Sequence, residues 1–313
     1  MNSQTIAHTD LEVSRLSYGC MRIAGTWNPA EIDTPKREAA HRAILAAYEA
    51  GYTLFDHADI YCAGGCEMLH GEVMRAVPSM RNQIVIATKC GIRFPGDPTP
   101  AHPHRYDFSK QHILASCDRS LERLGIETID IYQLHRPDLL MNPAEVAEAF
   151  DELHRSGKVR YFGVSNFLPS FVRALQAHLD FPLVVNQVEI HLGRLDCLVD
   201  GTLDQCLEMG LTPLSWSPLG GGWLGDARPG QTPTYSQEQS RVLAAIDAIA
   251  LATGATRTQV SLAWLLKHPS QIIPIVGSTD PDRIRSAAVA DDVELSREDW
   301  YRLLVAARGK PMP

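Results

Sequence analysis

Short, nearly continuous apolar runs alternate along this chain with longer stretches whose apolar residues recur at three- and four-residue intervals. Runs of the first kind read as strands buried on both faces, and stretches of the second as helices lying against a sheet. VSRLSYGCMRI, residues 13–23, alternates apolar and polar positions and predicts an opening strand preceded by a short ribbon. Residues 36–50 predict a helix, with Ala40, Ala43, Ile44, Ala47 and Tyr48 on one face and Gly51 where a C-cap glycine belongs. TLFD follows as a strand, and 66–77 as a helix ended by Pro78. The alternation continues with IVIATK (84–89), a helix over 109–124 ended by Gly125, and IDIYQLH (129–135). Asn142 caps a helix over 143–156 that has proline in its first position. Strands at 159–166, 183–189, 212–219 and 272–277 are followed by helices at 168–178, 200–209, 237–252 and 281–290. An extra helix at 257–267 and a final one at 296–307 stand outside the repeat.

About eight strand-then-helix units in a 313-residue chain favour a closed (β/α)8 TIM barrel, an α/β fold with an N-terminal β-ribbon and extra C-terminal helices. No linker divides the chain, so a single domain over 1–313 is expected. The structural alternative is an open doubly wound sheet. Against it, Gly19 and Gly25 have the wrong spacing for a G-x-G-x-x-G fingerprint after the first strand. Two long insertions, 91–106 and 219–235, each follow a strand and are expected over the C-terminal mouth of the barrel.

A net charge of −8 and a pI near 5.8 give no electrostatic footprint for nucleic acid or an anionic membrane. The partner expected is a small molecule. The seven cysteines are odd in number and scattered, a poor disulfide framework that fits a reducing compartment. Residues 1–10 lack a basic segment followed by an apolar one, and no run is long enough to span a bilayer, so a cytoplasmic protein is expected.

Three of the predicted strands deliver titratable groups at their C-terminal ends: Asp56 with Tyr61 five residues on, Lys89, and His135. In a barrel these meet above one rim. A free tyrosine, with a pKa of about 10, is a weak acid. An ammonium at Lys89 is expected to lower that pKa, Asp56 to hold the ammonium, and His135 to orient a substrate oxygen. Such a group suits protonation of a carbonyl oxygen while hydride arrives from a cofactor, since no side chain supplies one.

DHADIY with Tyr61, ATK with Lys89, LHRPD with His135, GVSN ending at Asn166, NQVE with Gln187, WSPLG from Trp216 and PIVGS together resemble the aldo-keto reductase family, in family order over essentially the whole chain. The resemblance implies a metal-free barrel that takes NADPH/NADP and reduces an aldehyde or ketone to the alcohol. Tyr61 would be the proton donor, with Lys89 and Asp56 tuning it and His135 orienting the carbonyl. Ser165, Asn166 and Gln187 match the positions that hold the nicotinamide carboxamide, and Trp216 the aromatic that stacks on its ring. Ser217 and Leu219 match the loop over the pyrophosphate. Ser278 and Arg283 match the group around the 2′-phosphate, where a guanidinium binds in bidentate fashion.

The chain departs from the family pattern at several points. Cys62 replaces the glycine after the tyrosine, Gly277 stands where many members carry a lysine near the 2′-phosphate, and Ser286 and Ala287 replace a pair found around adenine. An alternative role is a cofactor-binding regulatory or partner subunit with slow or no turnover. Cys62 and Cys66, with His57 and His70 nearby, have no second paired half, so no metal is expected. Cys20, Cys62 and Cys90 all follow strands, which raises a thiol near the substrate against the default of small core residues. Alternation along the strand turns His57 away from Asp56. A monomer is the default, although an outer helix face can also pair with a second copy.

Overall fold

The computed structural model describes residues 1–227, 230 and 232–313. Eight parallel strands form a closed barrel. We label them β1 (Ser17–Gly19), β2 (Leu54–Asp56), β3 (Val85–Cys90), β4 (Ile129–Leu134), β5 (Val159–Ser165), β6 (Val185–Glu189), β7 (Thr212–Trp216) and β8 (Ile273–Val276). Each pairs with the next along the chain, and β8 closes on β1 through Ile275 opposite Ser17. Registers such as Gly19 with Asp56, Cys90 with Leu134, Ser165 with Gln187 and Glu189 with Trp216 bring the C-terminal strand ends out at one rim. This is the (β/α)8 architecture that the alternation of runs predicts.

The barrel is closed at its other end. The ribbon Ser3–Thr5 pairs antiparallel with Glu12–Ser14, and its Ile6, Leu11 and Val13 pack with Leu54, Val85, Ala87, Ile131 and Leu214. With apolar side chains filling the lumen from below, polar groups are admitted only near the top. The opening strand expected over 13–23 is therefore split: part joins the ribbon, part is β1, and Cys20–Arg22 turns into a single 3-10 turn. The division falls at Ser14, whose hydroxyl donates to Leu16 O (2.6 Å) and turns the chain.

The surrounding helices begin and end where their capping residues stand. Asp33 accepts from Lys36 N at the start of Thr34–Glu49, Ser109 caps Lys110–Leu124, and Asn142 caps Pro143–Arg155. Gly125 ends its helix with φ of 67°, a conformation an L side chain resists. The extra helices Arg257–Leu266 and Arg297–Arg308 are clasped by Trp264 and Trp300, which stack 5.2 Å apart and exchange indole N–H bonds to each other's carbonyls. The 91–106 insertion carries a short antiparallel hairpin, Ile92–Arg93 with Arg105–Tyr106, held by Arg93 paired to Asp97 and Asp107. Two-residue strands have no periodicity to read, so the sequence gives no sign of it. The expectation for the 219–235 insertion includes 228, 229 and 231, which lie outside the described residues.

Candidate active site

β2 ends on Asp56, and two residues beyond the Asp56–Ala87 register β3 carries Lys89. Both side chains reach the upper lumen. Lys89 Nζ donates to Asp56 Oδ1 (2.6 Å) and to His57 O (2.6 Å), and Lys89 has no exposed surface. Gln187 Nε2, from β6, adds a bond to Asp56 Oδ1 (2.8 Å). Burial pulls the Lys89 pKa below its ordinary value, and the Asp56 carboxylate works against that fall. A buried pair of this kind holds together because each charge has hydrogen-bond partners; either one alone would be stranded.

Tyr61 reaches the same place by an unusual turn. After it, Cys62 and Ala63 both take left-handed backbone conformations (φ of 50° and 48°) before Gly64 at 90°. That is the stretch where Cys62 replaces glycine, so an L residue is being held in a glycine-like conformation. The ring sits with Lys89 Nζ 5.4 Å from its centroid and the His135 ring edge-on at 5.9 Å. Asp56, Tyr61, Lys89 and His135 thus come together at one mouth. Their electrostatics differ from the expectation in one respect. The Tyr61 phenol is pushed well above its ordinary pKa, first by burial and then by the Asp56 carboxylate, with Arg136 pulling the other way. The net shift is upward although the Lys89 ammonium lies over the ring, because burial dominates and that ammonium is already claimed by Asp56 and His57 O.

His135 N donates to Cys90 O (2.9 Å), which anchors the residue just past β4. Burial, followed by the charges of Lys89 and Arg136, holds the imidazole well below its ordinary pKa, so it is neutral. Its Nδ1 is buried without a partner. A neutral imidazole offers one N–H donor and one acceptor, which suits it to orient an oxygen.

A second belt joins this set. Ser165 Oγ donates to Gln187 O (2.9 Å), Asn166 Nδ2 to Ser165 Oγ (2.8 Å) and His135 O (3.3 Å), and Trp216 Nε1 to Asn166 Oδ1 (3.0 Å). Ser165, Asn166, Gln187 and Trp216 are therefore contiguous with the four. The side-chain nitrogen of Gln187 points inward to Asp56. Further out, Ser217 has φ of 50° and accepts from Gly220 N, so the chain after β7 folds back at Leu219 into a glycine turn. After β8, Gly277 has open space where a Cβ would lie. Ser278 O accepts from the Tyr18 hydroxyl (2.9 Å), and Asp280 caps the helix Pro281–Ala288. Arg283 Nη2 donates to Asp226 O (3.0 Å), tying that helix to the segment after β7.

Several groups were not foreseen. Asp59 is pushed up to about 8 by burial and by Glu67, and its Oδ1 has no partner. Glu67 accepts from Thr88 Oγ1 (2.6 Å) and Arg123 Nε (2.7 Å). The Gln133 amide is buried with neither atom paired. Arg136 lies with Cζ 5.3 Å from the Trp216 ring centroid, and its place directly after His135 was the available signal.

His57 faces outward as alternation requires, and its Nε2 lies 2.7 Å from His70 Nδ1. With Cys20 these form a buried donor cluster within 4.8 Å. The facing nitrogens share a proton at a separation shorter than the roughly 3.3 Å between two nitrogens on a tetrahedral zinc. All seven cysteines are free and buried. Burial pushes Cys20 and Cys90 well above the usual thiol range and, with Glu31, raises Cys62, which keeps these groups as thiols.

The model of the Aldo/keto reductase family matches residues 15–305. A 6-dehydroglucose reductase of Novosphingobium aromaticivorans is 40% identical, covering 98% of this chain and 96% of that protein. An uncharacterized oxidoreductase of Bacillus subtilis is also 40% identical, over 97% of each. A crystal structure of a thermostable aldo-keto reductase with the inhibitor epalrestat superposes with a TM-score of 0.83 at 26% identity, covering 98% of this chain and all 100% of that one. The eight-stranded barrel, the buried Asp56–Lys89 pair below Tyr61 and this near-complete match agree, and the chain belongs to the aldo/keto reductase family of oxidoreductases.

Proposed function

We propose that the protein is an NADPH-dependent carbonyl reductase in which Tyr61 is the proton donor. The observation that carries this reading is the Asp56–Lys89 pair buried directly under Tyr61, with a neutral His135 against the ring edge. NADPH, when bound, supplies the hydride. The chain's own residues do the rest. Tyr61 keeps its proton at rest, because burial and the Asp56 carboxylate both oppose phenolate. It releases that proton to the substrate oxygen as negative charge builds there, with Lys89 beneath the ring to favour the phenolate left behind. His135 donates or accepts at the same oxygen and fixes its direction.

The upper belt fits a nicotinamide cofactor. Trp216 is only half-buried and offers an aromatic face, Asn166 and Ser165 place amide and hydroxyl groups beside it, and the left-handed Ser217 turns the chain back above the rim. The open space at Gly277 leaves room for a bulky anion near Ser278 and Arg283. Asp280 already occupies the N–H groups of Asp282 and Arg283, so these two side chains are the groups left to meet a 2′-phosphate. For substrate, the relatives named 6-dehydroglucose reductase, in Novosphingobium aromaticivorans and in Agrobacterium fabrum, make an oxidised sugar the first compound to try.

The test is NADPH oxidation, followed by absorbance, with a panel of aldehydes that includes sugar aldehydes, run on the wild type and on Tyr61→Phe. Loss of reduction by about 10²- to 10⁴-fold is expected with cofactor binding retained. Unchanged turnover in that variant would remove Tyr61 from the role.

A further inference from the structure

Arg136 is a charged group at the mouth to which no step above gives a task. It is half-buried, lies over Trp216 with Cζ 5.3 Å from the ring centroid, and follows His135 directly. Its charge acts on both working side chains, Tyr61 and His135. Elsewhere in the fold comparable arginines are spoken for: Arg93 by Asp97 and Asp107, Arg123 by Glu67, Arg160 by Asp10 and Asp130. Among the described residues Arg136 has no carboxylate partner and no acceptor for its N–H groups.

Three acceptor groups close to Arg136 at the mouth are already engaged. Asp56 Oδ1 serves Lys89 and Gln187, Asn166 Oδ1 serves Trp216, and Asp138 holds the backbone N–H groups of Phe108 and Leu140. A guanidinium over an aromatic ring keeps its N–H donors at its edge, in one plane. Keeping those donors partly out of water costs free energy unless an acceptor arrives. The acceptor that enters this mouth is the substrate.

We infer that Arg136 grips an oxygen substituent, hydroxyl or carboxylate, on the carbon next to the substrate carbonyl, and so selects oxygenated aldehydes and oxo-acids over plain alkyl aldehydes. The inference rests on the reductase reading above. A fork of parallel donors matches two oxygens held close together, which a hydroxy-aldehyde or an oxo-acid presents and an alkyl chain does not. It also gives the oxidised sugars a structural reason to fit.

The experiment measures kcat/KM with NADPH for glyceraldehyde, glyoxylate and propanal in the wild type, Arg136→Ala and Arg136→Lys, with NADPH affinity followed by tryptophan fluorescence. In Arg136→Ala the preference for glyceraldehyde or glyoxylate over propanal is expected to fall about 10- to 100-fold, chiefly through KM. Arg136→Lys should recover part of it, since lysine keeps the charge and loses the fork. A larger loss with glyoxylate identifies a carboxylate as the bound group, and a larger loss with glyceraldehyde a hydroxyl. Equal losses on all three compounds, or a matching weakening of NADPH binding, would overturn the role of Arg136 and leave the reductase reading standing. No turnover of any of them by the wild type would overturn that reading, and the role of Arg136 with it.

Discussion

Lowering the pH from roughly 7.5 to 5.5 should destabilise this fold through groups that take no part in surface ion pairs. His57 and His70 are completely buried and His135 nearly so. All three are held below the ordinary value of 6.5, His70 at about 3, with burial the first cause in each case. In the unfolded chain each takes up a proton below 6.5, while the folded protein keeps it neutral. The unfolded state therefore binds more protons, and stability falls as pH falls. Between pH 7.5 and 5.5 each such group contributes about 1.4 kcal/mol, because the unfolded histidine passes from mostly neutral to mostly protonated across 6.5, so the three together contribute about 4 kcal/mol. Asp59 acts in the opposite sense. Its folded pKa is raised to about 8, so between 8 and its ordinary 3.8 the folded state is the one that binds the extra proton. Over the same interval that offsets at most about 2.6 kcal/mol, and less to the extent that water reaches the residue. The net loss from pH 7.5 to 5.5 is about 1.5 to 4 kcal/mol, a substantial share of the 5–15 kcal/mol that ordinarily separates folded from unfolded chains. Urea denaturation at the two pH values measures it; with a slope near 3 kcal/mol per molar, the midpoint should drop by about 0.5 to 1.3 M. Asp59→Asn should steepen the acid loss. A midpoint that is unchanged or higher at pH 5.5, or histidine titrations near 6.5 in the folded protein, would refute the reasoning.

Other expectations follow from single contacts. Lys89→Met strands the Asp56 carboxylate with only Gln187 as its side-chain partner and should cost about 3–5 kcal/mol by urea denaturation, with Asp56→Asn in the same chain restoring part of the loss. Gly71→Ala places a Cβ 2.5 Å from Arg123 O, forcing the helices Gly65–Ala76 and Lys110–Leu124 apart; a drop of about 1–3 kcal/mol in thermal or urea stability is expected. Arg283→Ala should weaken NADPH more than NADH in a fluorescence titration, and equal weakening would point to its bond to Asp226 O as its whole contribution.

The alternation of short apolar runs with amphipathic stretches was enough to read the barrel, because parallel strands buried on both faces and helices buried on one leave different periods in the chain. Caps and stops were legible for a similar reason: Asn142 with Pro143, and Gly125, act within a few residues of themselves. The hairpin at Ile92–Arg93 and the break between ribbon and β1 were not, since both depend on partners far along the chain or on elements too short to show a pattern.

The candidate site divides in the same way. Asp56, Lys89 and His135 stand at strand ends, and a closed barrel puts strand ends on one rim, so their meeting could be derived from order and spacing alone. How they act on one another could not. Whether an ammonium lowers a phenol's pKa depends on where Nζ points and how much water remains, and here burial outweighs it. Arg136 over Trp216, Gln187 turned inward to Asp56, and the buried His57–His70 pair join residues from different strands or from a strand and a helix. Local sequence determined which chemical groups this chain carries and the period at which it presents them. Only the folded barrel decided their distances and their share of solvent, because electrostatic interactions and desolvation depend on separation in space rather than along the chain.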